Sequence, residues 1–169
     1  MAELVNRVAA SGLITYKLED HWPTAGFAVF DLKDYLFMEL ILKEKDFREA
    51  LKEHDFSQYA GKILLVHCSA DAIIPNWAWM LVARDAAPHA ADVYLGTEAD
   101  YLRDHYRRVI DALDPADYAD KRIVIKGCGD RDVPASAYLD LTVKLRPVAK
   151  SIMFGEPCST VPVYKQPRK

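Results

Sequence analysis

An internal repeat constrains this chain more than any other feature. Sliding residues 47–96 against 106–155 without gaps, at a constant offset of 59, makes eleven of the fifty aligned positions identical. They are Arg48/Arg107, Asp55/Asp114, Tyr59/Tyr118, Ala60/Ala119, Lys62/Lys121, Asp71/Asp130, Pro75/Pro134, Ala78/Ala137, Pro88/Pro147, Ala90/Ala149 and Gly96/Gly155. Composition alone supplies roughly three. The surplus reads as an ancient duplication of one helix-strand-helix-strand unit. The loops VHCSADAIIP (66–75) and IKGCGDRDVP (125–134) carry matched aspartates and prolines, so they are the first place to look for a site.

The periodicities give the same order of elements in both copies. Phe47, Ala50 and Leu51 share a face, predicting a helix over 46–53. The apolar run KILLVH (62–67) suits a strand buried on both faces of a parallel sheet. Pro75 stands where a helix would start, because its missing N–H costs nothing at the first helical position. Ala78, Val82 and Ala86 recur at four-residue steps, and Pro88 ends that helix. DVYLG (92–96) returns as a strand. The second copy predicts a helix over 100–112, a strand at 122–126, a helix from 134 whose face is Ala137, Leu141 and Leu145, and a strand at 151–155.

Ahead of the repeats, residues 1–46 form an extension with strands at 12–18 and 26–30 and a turn at HWPT. Asp31 can cap a short helix. The apolar run 36–42 fits strand or helix equally. The tail from 156 to 169 carries three prolines and is expected to be extended. Strands alternating with helices predict a single α/β domain with a mainly parallel sheet flanked by helices, joined by right-handed crossovers.

Four stretches, NRVAASGLITYKLED, LILKEKDFRE, CSADAIIPNWA and AKSIMFGEPCSTVPVYK, resemble an uncharacterised bacterial family, domain of unknown function 2480, over essentially the whole chain. The family has no established activity to carry over residue by residue. The resemblance implies one piece of context, a gene neighbourhood near iron-sulfur cluster assembly.

Three cysteines follow predicted strands: Cys68 directly, Cys128 as the second residue after its strand and Cys158 as the third. On one parallel sheet their thiols would project toward one edge, where ligands bind in open α/β folds. Soft thiolates select zinc or iron-sulfur clusters, with His67, Asp71 or Asp130 as a fourth ligand. A non-catalytic accessory protein that binds metal or a cluster is therefore the leading expectation. One alternative is a thiol enzyme or sulfur carrier, its cysteine activated at a helix N-terminus. Another is an interaction module whose cysteines pack as small apolar residues, with Asp71 and Asp130 bracing loops.

A net charge of -3 and a pI near 5.9 offer no general attraction to nucleic acid or anionic lipid. No apolar run approaches a membrane span, and Glu3 and Arg7 interrupt any secretory leader. A cytoplasmic location with reduced thiols is expected. No Walker loop, GxGxxG, GxSxG or HExxH is present.

Overall fold

A computed structural model describes residues 12–127, 129–156 and 159–167. In chain order the elements are β1 (Leu13–Tyr16), β2 (Phe27–Asp31), α1 (Glu44–Glu53), β3 (Ile63–His67), α2 (Asn76–Ala86), β4 (Asp92–Leu95), α3 (Glu98–Asp111), β5 (Arg122–Ile125), α4 (Ala135–Leu145), β6 (Ser151–Glu156) and β7 (Ser159–Lys165). Short 3-10 turns follow β1 (Leu18–His21) and β2 (Leu32–Tyr35) and precede β3 (Phe56–Tyr59) and β5 (Pro115–Tyr118).

The expected α/β class with parallel-dominated sheets forms. Its strands divide between two sheets, ordered β1-β5-β6-β7 and β2-β3-β4. All pairs are parallel except β6 with β7. The chain correspondingly packs as two compact units. A central unit spans 23–101, and a terminal unit joins residues up to 22 with those from 102 onward.

The offset of 59 recurs in the elements. The 3-10 turn at 56–59 maps onto 115–118, and α2 at 76–86 maps onto α4 at 135–145. Asp55 and Asp114 do the same work, each accepting from the backbone N–H two residues on, at 3.0 and 2.9 Å. Gly96 and Gly155 both hold positive φ, 142° and 123°, which explains glycine in both copies. Pro75 and Pro134 sit one residue outside their helices in extended conformation, so α2 and α4 begin at Asn76 and Ala135. The carbonyls of these prolines accept from Ala78 and Ala137 at 2.9 Å each.

A second correspondence lies in the extension. Leu13 pairs with Arg122, and Phe27 pairs with Ile63. Because 122 minus 63 is 59, Leu13 is the counterpart of Phe27 at an offset of 14. The Gly12 carbonyl accepts from the Arg122 N–H at 3.4 Å and the Gly26 carbonyl from the Ile63 N–H at 2.8 Å, and Leu18 and Leu32 are buried at 1% and 0% exposure. Each repeat thus takes one strand of the extension as its first strand.

In the central unit, Phe30, Leu32, Phe47, Leu64, Val66, Ala78 and Val82 form the main core, while Ile63 and Leu65 face Tyr101 on the other side of β3. In the terminal unit Leu18, Tyr106, Ile110, Ile123, Leu141, Leu145 and Ile152 are fully buried. The run 36–42 is neither strand nor helix. It folds back through a bridge between Phe37 and Ile41, with Met38 and Glu39 at φ 51° and 58°. Phe37, Met38, Leu40 and Ile41 are exposed there, so apolar content at this place did not encode burial. The tail is extended as expected, and it is paired: β7 runs antiparallel on β6.

Candidate functional site

In both units the carboxyl ends of the parallel strands lead into a loop and then a helix. In the terminal unit the last register pair of β1 and β5 is Tyr16 with Ile125, so Lys17 and Lys126 leave the sheet as neighbours. The Lys126 N–H donates to the Tyr16 carbonyl at 2.9 Å. Both lysines line a cleft of about 680 Å³ together with Glu19, Arg131, Asp132, Tyr138 and Phe154. That volume is typical of small-molecule sites.

Packing around the cleft explains its glycines. A Cβ on Gly127 would overlap the Phe154 ring, and one on Gly129 would overlap the Glu19 carboxylate. Glu19 is held from the other side by the Lys126 ammonium at 3.2 Å. The Arg131 guanidinium lies 5.4 Å from the centre of the Trp22 ring, and Tyr138 meets Phe154 edge-on at 5.8 Å. Tyr106 is fully buried and donates its hydroxyl to the Leu18 carbonyl at 3.1 Å. Burial, then the nearby Tyr138 and Glu19, pushes its pKa up to about 12.

The equivalent place in the central unit has different chemistry. Adding 14 to Lys17 gives Asp31, and subtracting 59 from Lys126 gives His67; these two are register partners on β2 and β3. Asp31 Oδ1 accepts from the Lys33 and Ser69 N–H groups at 2.9 and 3.0 Å. Its Oδ2 lies 3.7 Å from His67 Nε2. Burial alone would raise the Asp31 pKa; the hydrogen bonds from Ser69 and Lys33 outweigh it and hold the carboxyl below its ordinary value. His67 Nδ1 is buried and has no hydrogen-bond partner among the described residues.

Cys68 is half-buried, and its thiol faces the Ala70 carbonyl at 3.6 Å. It packs against the core that holds Leu64 and Val66, whereas His67 follows the alternation of Ile63 and Leu65 to the opposite face. The contacts that the two side chains make are separate, His67 with Asp31 and Cys68 with the Ala70 carbonyl. Cys128 and Cys158 lie outside the described residues. The strands that precede them, β5 and β6, are in the four-stranded sheet, while β3 before Cys68 is in the other, so one shared sheet edge does not bring the three together. Asp71 and Asp130 are exposed, and no side chain caps α2 or α4. With proline at the cap position, an aspartate four residues earlier does not serve as the cap. Among the described residues no group of three His, Cys, Asp or Glu is placed to hold a metal ion.

Lys17, Lys126, Arg131, Tyr138 and Phe154 were not candidates from the sequence. The recurrence of Gly12/Gly26, Leu18/Leu32 and Asp20/Asp34 at an offset of 14 was the available signal: it aligns the extension with itself and makes Lys17 the counterpart of Asp31, while the pairing of β1 with β5 sets Lys17 beside Lys126.

By fold and site this is an α/β protein of two parallel-dominated sheets with an open, basic cleft at the strand ends of one of them. The chain belongs to the family described as protein of unknown function DUF2480, which matches residues 2–166. No curated protein and no solved structure matches it. No described helix is long and apolar enough to cross a membrane.

Proposed function

We propose that the protein binds a small anionic molecule in the terminal unit's cleft. The observation that carries this reading is the set Lys17, Lys126 and Arg131 around a cleft of about 680 Å³, where the central unit has Asp31, His67 and Ala72 at the matching positions. Against the Glu19 and Asp132 carboxylates that also line the cleft, these three cations leave a balance of one positive charge at the strand ends. Parallel strands lead ligands to this edge in open α/β sheets. The test is thermal unfolding of the whole protein against a panel of small phosphates and carboxylates. A ligand at 100 times its Kd stabilises by about 2.7 kcal/mol. Stabilisation that disappears in Lys17→Gln and Arg131→Gln supports the cleft. A panel without effect, or an effect that both variants keep, removes it.

A second reading keeps the thiols: zinc or an iron-sulfur cluster held by Cys68, Cys128 and Cys158 with Asp71 or Asp130, or sulfur carried on one cysteine. One observation favours a thiol role, namely that Cys128 stands in sequence between Gly127 and Gly129, both of which line the cleft. Metal and acid-labile sulfide are measured on protein purified without oxygen or an affinity tag. Stoichiometric metal lost in the triple Cys→Ser variant supports the metal form. Metal-free protein with slow alkylation of every thiol ends both forms.

A further inference from the structure

We infer that the ligand of this cleft is an organic phosphate carrying a planar ring, of the size and chemistry of a nucleoside monophosphate; this rests on the reading of the cleft as an anion site. Three features of the terminal unit lead there.

The first is where an anion can sit. The loop GCGD resembles a glycine-rich phosphate cradle in composition, and close packing accounts for both of its glycines. The space over Gly127 holds the Phe154 ring, and the space over Gly129 holds the Glu19 carboxylate. The side-chain cations lining the cleft are Lys17, Lys126 and Arg131. Glu19, at 3.2 Å from the Lys126 ammonium, offsets that lysine's charge. Lys17 and Arg131 then stand against Asp132 alone among the charged groups lining the cleft. The first residue of α4, Ala135, also lines it, and no side chain caps that helix. The partial positive charge of the helix start adds to the net positive balance.

The second feature is aromatic. Phe154 is 40% exposed even though it packs against Gly127 and meets Tyr138 edge-on. An aromatic wall beside cations is what a phosphate ester with a planar base uses, the base stacking while the phosphate pairs. In the central unit, where the basic residues are missing, the counterpart of Phe154 is Leu95. The cations and the ring at position 154 thus occur together in one unit, and their counterparts Asp31, His67, Ala72 and Leu95 lack both.

The third feature is size. About 680 Å³ is far more than inorganic phosphate fills, and it lies within the range of sites that enclose whole metabolites.

The experiment is calorimetric titration of the full-length protein with AMP and CMP, and separately with inorganic phosphate, ribose 5-phosphate and adenosine. At least one nucleoside monophosphate is expected to bind roughly tenfold or more tightly than phosphate, ribose 5-phosphate or adenosine, about 1.4 kcal/mol or more. Arg131→Gln and Lys17→Gln should each weaken that binding several-fold. Phe154→Leu, which installs the central unit's residue, should bring the monophosphate down to the level of ribose 5-phosphate while circular dichroism stays unchanged. If phosphate and ribose 5-phosphate bind as tightly as the monophosphates, the planar ring is refuted and the anion cleft stands. If none of the phosphates binds while small carboxylates stabilise the protein through Lys17 and Arg131, the phosphate is refuted and the cleft again stands. If no anion binds to the folded protein, both inferences fall.

Discussion

Two buried tyrosines of the terminal unit make its stability fall at alkaline pH, and the fall can be worked out in sign and size. Tyr106 is fully buried with its hydroxyl on the Leu18 carbonyl, and Tyr16 is 6% exposed with its hydroxyl 3.1 Å from His21 Nε2. Burial is the largest cause of the upward shift in each, and both pKa values lie at about 12 against an ordinary 10. The native state therefore keeps these protons to higher pH than the unfolded chain does. Below pH ~10 both states hold them and stability has no slope from this source. From pH ~10 to ~12 the unfolded chain has lost them first, and stability falls by about 1.4 kcal/mol per pH unit for each tyrosine. The full loss is roughly 3 kcal/mol per tyrosine, an upper bound for the pair because the charge of Tyr106 contributes to the shift at Tyr16. Urea unfolding across this pH range measures the slope, and tyrosinate absorbance measures the ionisation directly. Tyr106→Phe should cost about 1–3 kcal/mol at neutral pH by leaving the Leu18 carbonyl without its donor. It should also reduce the alkaline slope by about one proton. An unchanged slope in that variant would refute the assignment of the high pKa to Tyr106.

Other perturbations test other parts of the architecture. Leu141, fully buried on α4, should cost about 2–5 kcal/mol as Leu141→Ala, while Leu139→Ala, two residues away and 63% exposed, should stay within about 0.5 kcal/mol; equal effects in urea unfolding would contradict the helix face. Gly127→Ala forces the Phe154 ring to move and should destabilise by about 1–3 kcal/mol, an effect that Phe154→Ala in the same chain should relieve. Asp31→Ala removes the acceptor of two backbone N–H groups and should cost about 0.5–2 kcal/mol at neutral pH. Because the native Asp31 carboxyl titrates below its ordinary value, its contribution is present above pH ~4 and disappears as pH falls through the lowered one. Acid unfolding of wild type and Asp31→Ala should therefore converge at low pH, and curves that stay apart would rule that carboxylate out as the source.

Much of the fold could be read along the chain because it is encoded between near neighbours. The stripe Ala78, Val82, Ala86 and its copy Ala137, Leu141, Leu145 specify the buried faces of α2 and α4 through helical spacing alone. KILLVH announced a strand buried on both faces, and Asp31 does accept from the Lys33 N–H to start a short turn. Local signals were less decisive at 36–42, where an apolar run that fits two secondary structures adopts neither, burying Leu42 while Phe37, Met38, Leu40 and Ile41 stay exposed.

What the sequence determined by itself was the repeated order of helices and strands and the parallel α/β class, since both follow from periodicity and from one offset. Only the tertiary structure decided that β1 joins β5 while β2 joins β3, and that β7 closes on β6. The choice of strand partner is a competition among backbone groups far apart in sequence, and every parallel partner offers similar hydrogen bonds. That choice divides the strands between two sheets and assigns β3, before Cys68, to a different sheet from β5 and β6. It also sets Lys17 beside Lys126 across residues that no local pattern connects. The cleft therefore exists only because β1 passes over its sequence neighbour β2 to pair with a strand more than a hundred residues on.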